Sequence, residues 1–324
     1  MIRYLARRLL QGVAIVFAVA TLTFILLQLA PGDPVDVLGA AGRLPREVAE
    51  QQRINFGLDR PLVERYVRYI WNVARGNLGN SYTLPVSVAS AIARRIPATL
   101  LLALSALFID FTLGVLIGAF QGTRDRSRMD DGLSLVTLTL FSLPVFWLGA
   151  MLILVFTHNL GWLPPSGIRT PWLYPHLSWV ESIWDHAKHL VLPALTLGLI
   201  GAASTARFQR AAMIDVVHHD YVRAARAKGL EERAILYRHA LRNALLPVIT
   251  LFGLAFPVLL SGAVLVEEVF SWPGLGSLAV DAFRNRDYPL VTGMAIVAAL
   301  MVVVGNLVAD LLYRAADPRT RQRA

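Results

Sequence analysis

Residues 220–247 read DYVRAARAKGLEERAILYRHALRNALLP, and this polar stretch interrupts a chain that is otherwise apolar. Between Arg207 and Arg242 stand eight basic and four acidic residues, and long uncharged runs flank them on both sides. Charged side chains are costly inside the hydrocarbon core of a bilayer. We therefore expect the polar island, residues 207–243, to be a water-exposed excursion between two membrane spans.

The island has the local pattern of two helices joined by a glycine turn. Asp220 is predicted to cap a helix over 221–228, and Gly229 is predicted to end it in the left-handed conformation. Glu231 and Glu232 then fall in the first turn of a second helix, where the helix dipole favours acidic side chains. The pattern predicts a compact elbow.

The same residues carry a resemblance to a known family. Ala224, Ala225 and Gly229, with the later Leu246–Pro247, are similar to the EAA loop of ABC-importer permeases, the cytoplasmic segment that in that family docks on the ATPase subunit. Arg223 departs from the family pattern, which has Glu there, and Pro247 follows Gly229 by 18 positions. This longer form resembles the first permease subunit of the dipeptide/oligopeptide/nickel branch. A generic basic loop obeying the positive-inside rule is the alternative.

The resemblance also implies which residues contact the ATPase. The side chains of Ala224 and Ala225 are small, so a partner surface is able to approach the first helix closely. Coupling to the ATPase is accordingly expected of Asp220, Ala224, Ala225, Lys228, Gly229, Leu230 and Glu231.

Composition narrows the class of protein. Of 324 residues, 56% are hydrophobic and only 16% are charged, which is typical of a polytopic membrane protein. The net charge of +9 does not indicate nucleic acid, because the basic residues fall at the ends of apolar runs. The absence of cysteine excludes disulfides, thiolate metal sites and a cysteine nucleophile.

Six apolar runs predict an all-α integral membrane protein with six transmembrane helices. The runs are Leu10–Ala30, Thr99–Gln121, Leu133–Phe156, Leu190–Ala206, Ala244–Val266 and Pro289–Leu312. One side of the membrane then receives 18 basic residues and the other receives 4, once the long segment after the first span is left out. Both termini and the polar island are thus predicted to be cytoplasmic.

The chain is predicted to have three parts: residues 1–30, with the first span; an extracytoplasmic insertion, residues 31–98; and a five-helix core, residues 99–324, which carries the polar island. Apolar residues at helical spacing predict an amphipathic helix over 62–75. Its aromatic residues Tyr66, Tyr69 and Trp71 favour burial in a small folded cap over a mere spacer.

Acidic residues inside the predicted spans are candidates for function. Asp110 stands in the middle of the second span, where it is either a lining residue of the translocation path that attracts cationic groups or a hydrogen-bonded structural acid. Asp310, near the end of the sixth span, is expected to serve helix packing. Gly114 and Gly118 form a GxxxG pattern that predicts a close helix contact.

Other kinds of site find little support in the sequence. The four histidines between residues 158 and 189 have irregular spacing and no acidic cluster, so we expect no metal site and no cofactor. No GxxxxGK[ST] pattern occurs, so ATP hydrolysis is expected on another chain, and this chain is not expected to be an enzyme.

The family resemblance implies partners. They are a second related permease subunit, two ABC ATPase subunits and an external substrate-binding protein, in the cytoplasmic membrane of a bacterium or archaeon. Membrane lipid surrounds such a subunit, nucleic acid is no partner, and the resemblance implies a peptide substrate. A secondary transporter would need paired broken helices or coupling-ion carboxylates. A membrane-tethered regulator would use the elbow as a DNA-binding helix-turn-helix.

Overall fold

The chain is mainly helical. The computed structural model describes residues 2–29, 50, 51, 54, 57, 59–173, 176–249, 251 and 263–316. The helices of these residues are labelled in chain order: α1 Ile2–Leu29, α2 Leu62–Ala74, α3 Val88–Gly122, α4 Arg128–Ser142, α5 Val145–Leu152, α6 Trp179–Val217, α7 Asp220–Ala227, α8 starting as Glu232–Ala234, α9 Val264–Val269, α10 Leu275–Arg284 and α11 Tyr288–Ala316. A π-helical segment, Ile153–Asn159, continues α5. Helix α8 has three consecutive parts: an α-helical start, Glu232–Ala234, a π-helical middle, Ile235–Ala240, and an α-helical last turn, Leu241–Ala244.

Within the described residues, four helices are long and apolar enough to cross a membrane. They are Leu10–Leu29 in α1, all of α3, all of α6, and Tyr288–Leu311 in α11. Counting α4 and α5 with its π-helical continuation as one bent span raises the number to five. About half of the predicted span Ala244–Val266 falls outside the described residues.

The apolar run Leu133–Phe156, predicted as one span, does not form one straight helix. Its two parts meet at an angle of 105°. Leu143, which ends α4, has extended backbone angles, and Pro144 precedes the first residue of α5. Proline has no N–H to donate and disfavours helical angles in the residue before it, so the break follows from this one residue.

Two helices are longer than the apolar runs that predicted them. α6 has 39 residues and is therefore about 58 Å long, well beyond the thickness of a hydrocarbon core. Its first turn is fixed by a capping box in which Ser178 and Glu181 exchange hydrogen bonds. α3 starts at Val88 rather than at Thr99, and it continues through Pro97.

The described chain divides into two compact units. Unit 1 comprises residues 1–99 and 273–303. Its apolar core joins the start of α3 to α10 and the start of α11, and it consists of Val88, Ala91, Ile92, Leu275, Leu278, Ala282, Leu290 and Met294.

A buried carboxylate pins the segment before α3 to the start of α11. Asp287 is fully buried, and its Oδ2 accepts hydrogen bonds from the Ser81 hydroxyl, from the backbone N–H groups of Tyr82 and Thr83, and from the Thr83 hydroxyl. Its Oδ1 accepts from the N–H of Leu290, in the first turn of α11. One side chain thus satisfies donors from two distant segments of unit 1.

Helix α2 packs on α1 within unit 1, as an amphipathic helix should. The predicted helix over 62–75 is confirmed to within one residue. Tyr66 and Tyr69 lie against Phe24 with ring centroids 5.3 and 5.5 Å apart, respectively. The prediction that Trp71 is buried is wrong: the side chain is 58% exposed and carries the Arg75 guanidinium on its face, because it lies on the opposite side of the helix.

Unit 2 comprises residues 100–272 and 304–324, and α3 and α6 make a close contact in it. A side chain at Gly114 would meet Thr205, and one at Gly118 would meet the backbone of Ala206. A third glycine, Gly122, faces Met213 in the same way. The predicted packing role of the GxxxG pattern is confirmed, and the small-residue stripe extends one step further.

Candidate functional site

The polar island folds as two helices at the end of α6. Two residues separate the end of α6 from the start of α7, and the second of them, His219, is the N-cap of α7 and makes no side-chain capping bond. Asp220 was predicted to cap this helix, and that prediction is wrong. Asp220 is the first helical residue, and its carboxylate accepts a hydrogen bond from Arg223 at 2.6 Å.

The turn after α7 has the geometry predicted for Gly229. Its φ is +74°, and its N–H donates to the carbonyl of Arg226 at 2.9 Å. The N–H of Leu230 reaches back to the carbonyl of Ala225 at 3.4 Å. These two bonds form a Schellman motif, which requires the left-handed conformation that glycine adopts without strain.

The two helices of the elbow, defined as α7, the Gly229 turn and α8, pack on each other through a small apolar core. Val222, Ala225 and Ile235 form this core, and all three are buried. Arg226 clamps the turn from outside by donating to both carboxylate oxygens of Glu232, at 3.1 and 2.7 Å. These hydrogen bonds from the guanidinium hold the pKa of Glu232 below its ordinary value.

The elbow core separates the two alanines that were predicted to act together. Ala225 is only 8% exposed and lies inside the elbow, whereas Ala224 faces outward. Five other predicted coupling residues are also exposed, namely Asp220, Lys228, Gly229, Leu230 and Glu231. Ala225 is buried because its position on α7 faces Ile235, whereas the contact of both alanines with a partner stays a prediction.

The elbow is also attached to α6. Met213 and Val216, near the end of α6, pack with Ala240 and Ala244 of α8, and all four are buried. Asn243 of α8 donates to the hydroxyl of Tyr221 at 2.7 Å. Apolar packing and a hydrogen bond together tie α8 to both α6 and α7.

Asp110 lies in the contact between α3 and α6. It is 7% exposed, and its Oδ1 accepts a hydrogen bond from the Thr205 hydroxyl at 2.7 Å. Gly201 lies against the same carboxylate, with no room there for a larger side chain. The carboxylate is thus held by a donor and by close packing, in the middle of a membrane-spanning segment.

An ion-pair cluster that sequence reasoning missed stands where α6 meets the start of α4. Arg210 donates to both carboxylate oxygens of Asp130, at 2.7 and 2.6 Å, and to Asp125 at 2.8 Å. The amide of Gln121 also donates to Asp130, which is 1% exposed. The signal available in the sequence was a pair of acids, at 130 and 131, in the first turn of a helix that begins just before a predicted span.

Two family descriptions match the chain. "Binding-protein-dependent transport system inner membrane component" matches residues 114–322, and its N-terminal counterpart matches residues 1–103. The described fold is similar to a chain of the methionine ABC transporter MetNI in inward-facing conformations, with a TM-score of 0.54 at 16% identity, over 71% of this chain and 97% of that one.

Curated relatives cover nearly the whole length. The di/tripeptide transport system permease protein DppB of Pseudomonas aeruginosa is 42% identical over 100% of both chains. The oligopeptide transport system permease protein AppB of Bacillus subtilis is 38% identical over 98% of this chain and 99% of its own. With family matches over both parts of the sequence and an elbow at the end of a long spanning helix, the chain belongs to the inner membrane components of binding-protein-dependent transport systems.

Proposed function

We propose that this chain is the peptide-translocating permease subunit of an ABC importer. Both relatives described above are named as permeases of peptide transport systems, and the similarity extends over almost the full chain. The subunit forms half of the path, and a second related permease supplies the other half. Two ATPase subunits supply energy, and an external binding protein delivers the peptide. Family membership argues against the secondary-transporter and DNA-binding alternatives.

The observation that carries the coupling part of this proposal is the attachment of the elbow to α6. Because Met213 and Val216 pack with Ala240 and Ala244, a push on the elbow displaces the end of α6 with it. Helix α6 continues as one helix to Trp179, past the contact between Thr205 and Asp110. ATP-driven closure of the ATPases would thus reach the middle of the membrane through a single rigid element.

Exposure on the elbow indicates how an ATPase would contact it. Ala224, Lys228 and Leu230 are exposed, and Leu230 presents 46% of its surface at the tip. An exposed apolar side chain next to a basic one suits a partner cleft with an apolar floor and an acidic rim. In this scheme Ala225 and Gly229 contribute indirectly, by giving the tip its shape.

The proposed topology completes the assignment. Six spans with both termini in the cytoplasm place the elbow where ATPases reside and residues 31–98 on the outer side, where a binding protein arrives. The bacterial cytoplasmic membrane is the proposed location. Asp110 is proposed as a residue of the translocation path, with the structural role as its alternative.

The experiment that tests the coupling proposal uses the difference between the two alanines. The intact chain is co-expressed with its permease and ATPase partners, and co-purification of the ATPase and peptide uptake are measured. Ala224→Glu adds a charge on the exposed face of α7 and should abolish ATPase binding without changing the unfolding temperature of the chain. Ala225→Asp puts a charge into the elbow core and should lower both ATPase binding and the unfolding temperature.

The matched control adds the same charge elsewhere. Ala74→Glu changes an exposed alanine at the end of α2, outside the elbow, and should leave ATPase binding unchanged. If the Ala224→Glu complex retains its ATPase and transports at the parental rate, the elbow is not the docking site.

A further inference from the structure

Unit 1 contains a cavity of ≈ 320 Å³ between the end of α1, α2 and the start of α11. Three arginines line it: Arg60, Arg65 and Arg68. None of the described residues that line the cavity is acidic. A cavity of this size with three guanidinium groups on its wall has the charge and the volume to accept a small anion.

The sequence of α2 explains why these groups meet. Arg65, Arg68, Tyr69 and Asn72 recur every three or four residues, so they share one face of α2, and all four line the cavity. The exposed stripe of α2, with Val63 and Trp71, lies on another face. The cavity face of this amphipathic helix is therefore polar and basic; on it Arg65, Tyr69 and Asn72 are partly buried, whereas Arg68 is exposed.

The arginines are only partly neutralised by their neighbours. Arg60 and Arg68 share one carboxylate oxygen of Glu64, at 2.6 and 3.3 Å. Among the ion pairs of the described residues, Arg65 takes part in none. Two positive charges therefore remain on the wall of the cavity. Tyr69 adds a phenolic O–H donor, and burial raises its pKa to about 12.

The cavity also has apolar lining. Phe24 and Leu27, in the last two turns of the membrane-spanning part of α1, line it together with the polar Gln28. Guanidinium forks match the oxygens of a phosphate group, and several forks around one site favour phosphate over a single-point anion. An adjacent apolar wall at the end of a span suits the first methylene groups of an acyl chain.

We propose that this cavity binds the phosphate group of an anionic ligand. The ligand is either an anionic phospholipid, whose chains follow α1, or a soluble organic phosphate. The same guanidinium groups serve both sources. An occupied cavity would hold α2 to α1 and α11.

The test uses the purified full-length chain in a detergent that carries no net charge. Dihexanoyl phosphatidylglycerol and glycerol 3-phosphate are titrated separately, and the dissociation constants are measured by calorimetry. Arg65→Gln combined with Arg68→Gln should raise the dissociation constant at least tenfold, and added salt should weaken binding to the parental chain. Arg65→Lys keeps the charge but loses the fork, and should give an intermediate increase.

Arg75→Gln is the control, because it removes one charge from the same region without touching the cavity wall. Its dissociation constant should stay within twofold of the parental value. Binding of the lipid alone assigns the site to a headgroup, and equal binding of both probes assigns it to the phosphate itself. The proposal fails if neither probe binds, or if Arg65→Lys and the double variant bind as tightly as the parental chain.

Discussion

Arg210 and Asp130 lie 80 positions apart in the sequence and are joined by two hydrogen bonds, from Nε to Oδ1 at 2.7 Å and from Nη2 to Oδ2 at 2.6 Å. The pair ties α6 to the first turn of α4. Because the elbow follows α6 in the chain, this ion pair connects the helix that carries the elbow to the bent pair of helices, α4 and α5. Asp130 is buried, so its charge depends on Arg210 for compensation.

We expect Arg210→Met to destabilise the chain by about 3–5 kcal/mol, because it leaves a buried carboxylate unpaired. Arg210→Lys retains the charge but not the two-point geometry and should cost less. The apparent unfolding temperature of the purified chain measures both. Arg207→Lys, on the exposed side of the same helix, is the control. An Arg210→Met chain as stable as the control would show that Asp130 does not need the pair.

Gly229→Ala should destabilise the elbow by about 1 kcal/mol, and Gly229→Val by more, because φ is +74° and a Cβ is disfavoured there. No atom lies within 4 Å of the position of that Cβ, so the cost comes from the backbone alone. ATPase co-purification and peptide-stimulated ATP hydrolysis should fall with it. Gly132→Ala, in α4, also meets open space but has no positive φ, and should be neutral or stabilising. Equal behaviour of the Ala variants at both positions would contradict the argument.

Asp110→Asn separates the two proposed roles of this residue. Asparagine can still accept the hydrogen bond from Thr205 but has no charge. If Asp110 lines the path, uptake of lysine-containing peptides should fall about tenfold, the scale of one charge-assisted hydrogen bond, while uptake of neutral peptides is retained. Thr205→Val is the matched control for packing. Equal loss of both kinds of uptake would favour the structural role.

Local signals in the sequence were sufficient for several elements. The spacing of apolar residues over 62–75 predicted α2 to within one residue, and Gly229 predicted both the end of α7 and the sign of its φ. Both features depend on interactions within a few positions along the chain, namely helix periodicity and the Schellman turn. The end of α7 and the glycine turn of the elbow were therefore predictable from the sequence.

Contacts between distant segments were not predictable in this way. Leu133–Phe156 is as apolar as the runs that form straight spans. Hydropathy does not report whether a helix bends, so only Pro144 indicates the break. In the sequence nothing distinguishes Ala225 from its neighbour Ala224; the packing of Ile235 in the same core shows that Ala225 is the buried one. Asp287 gave no sign that four donors of residues 81–83 would converge on it, because a single sequence carries no record of that pairing.

Asp287→Asn should release the segment before α3 from the start of α11. The amide has one oxygen, which cannot accept both the four bonds of residues 81–83 and the bond from Leu290. We expect a loss of about 2–3 kcal/mol, the value of hydrogen bonds to a charged group. Limited proteolysis near residues 76–84 should accelerate. Asp281→Asn changes an exposed acid in α10 and is the control; equal cleavage in both variants would refute the anchor.

Reporter fusions test the proposed topology, which rests on the excess of 18 basic residues over 4. Fusions at Arg126, at Arg233 and at the C-terminus should be cytoplasmic. Fusions near Glu50, Trp172 and Asp281 should be external. An external reporter at Arg233 would place the elbow out of reach of an ATPase and would overturn the coupling proposal.

The glycine stripe of α3 also fixes its register against α6. Gly114, Gly118 and Gly122 are spaced by four residues, and at each of them an α6 residue occupies the space that a side chain would need. Inserting one residue between them would turn the following stretch by about 100° and drive a side chain into the backbone of α6. Sliding α6 along α3 meets the same obstacle. We therefore expect α3 and α6 to tilt as a pair and not to slide past one another, so the coupling proposed above would reach the membrane as a rotation of both helices.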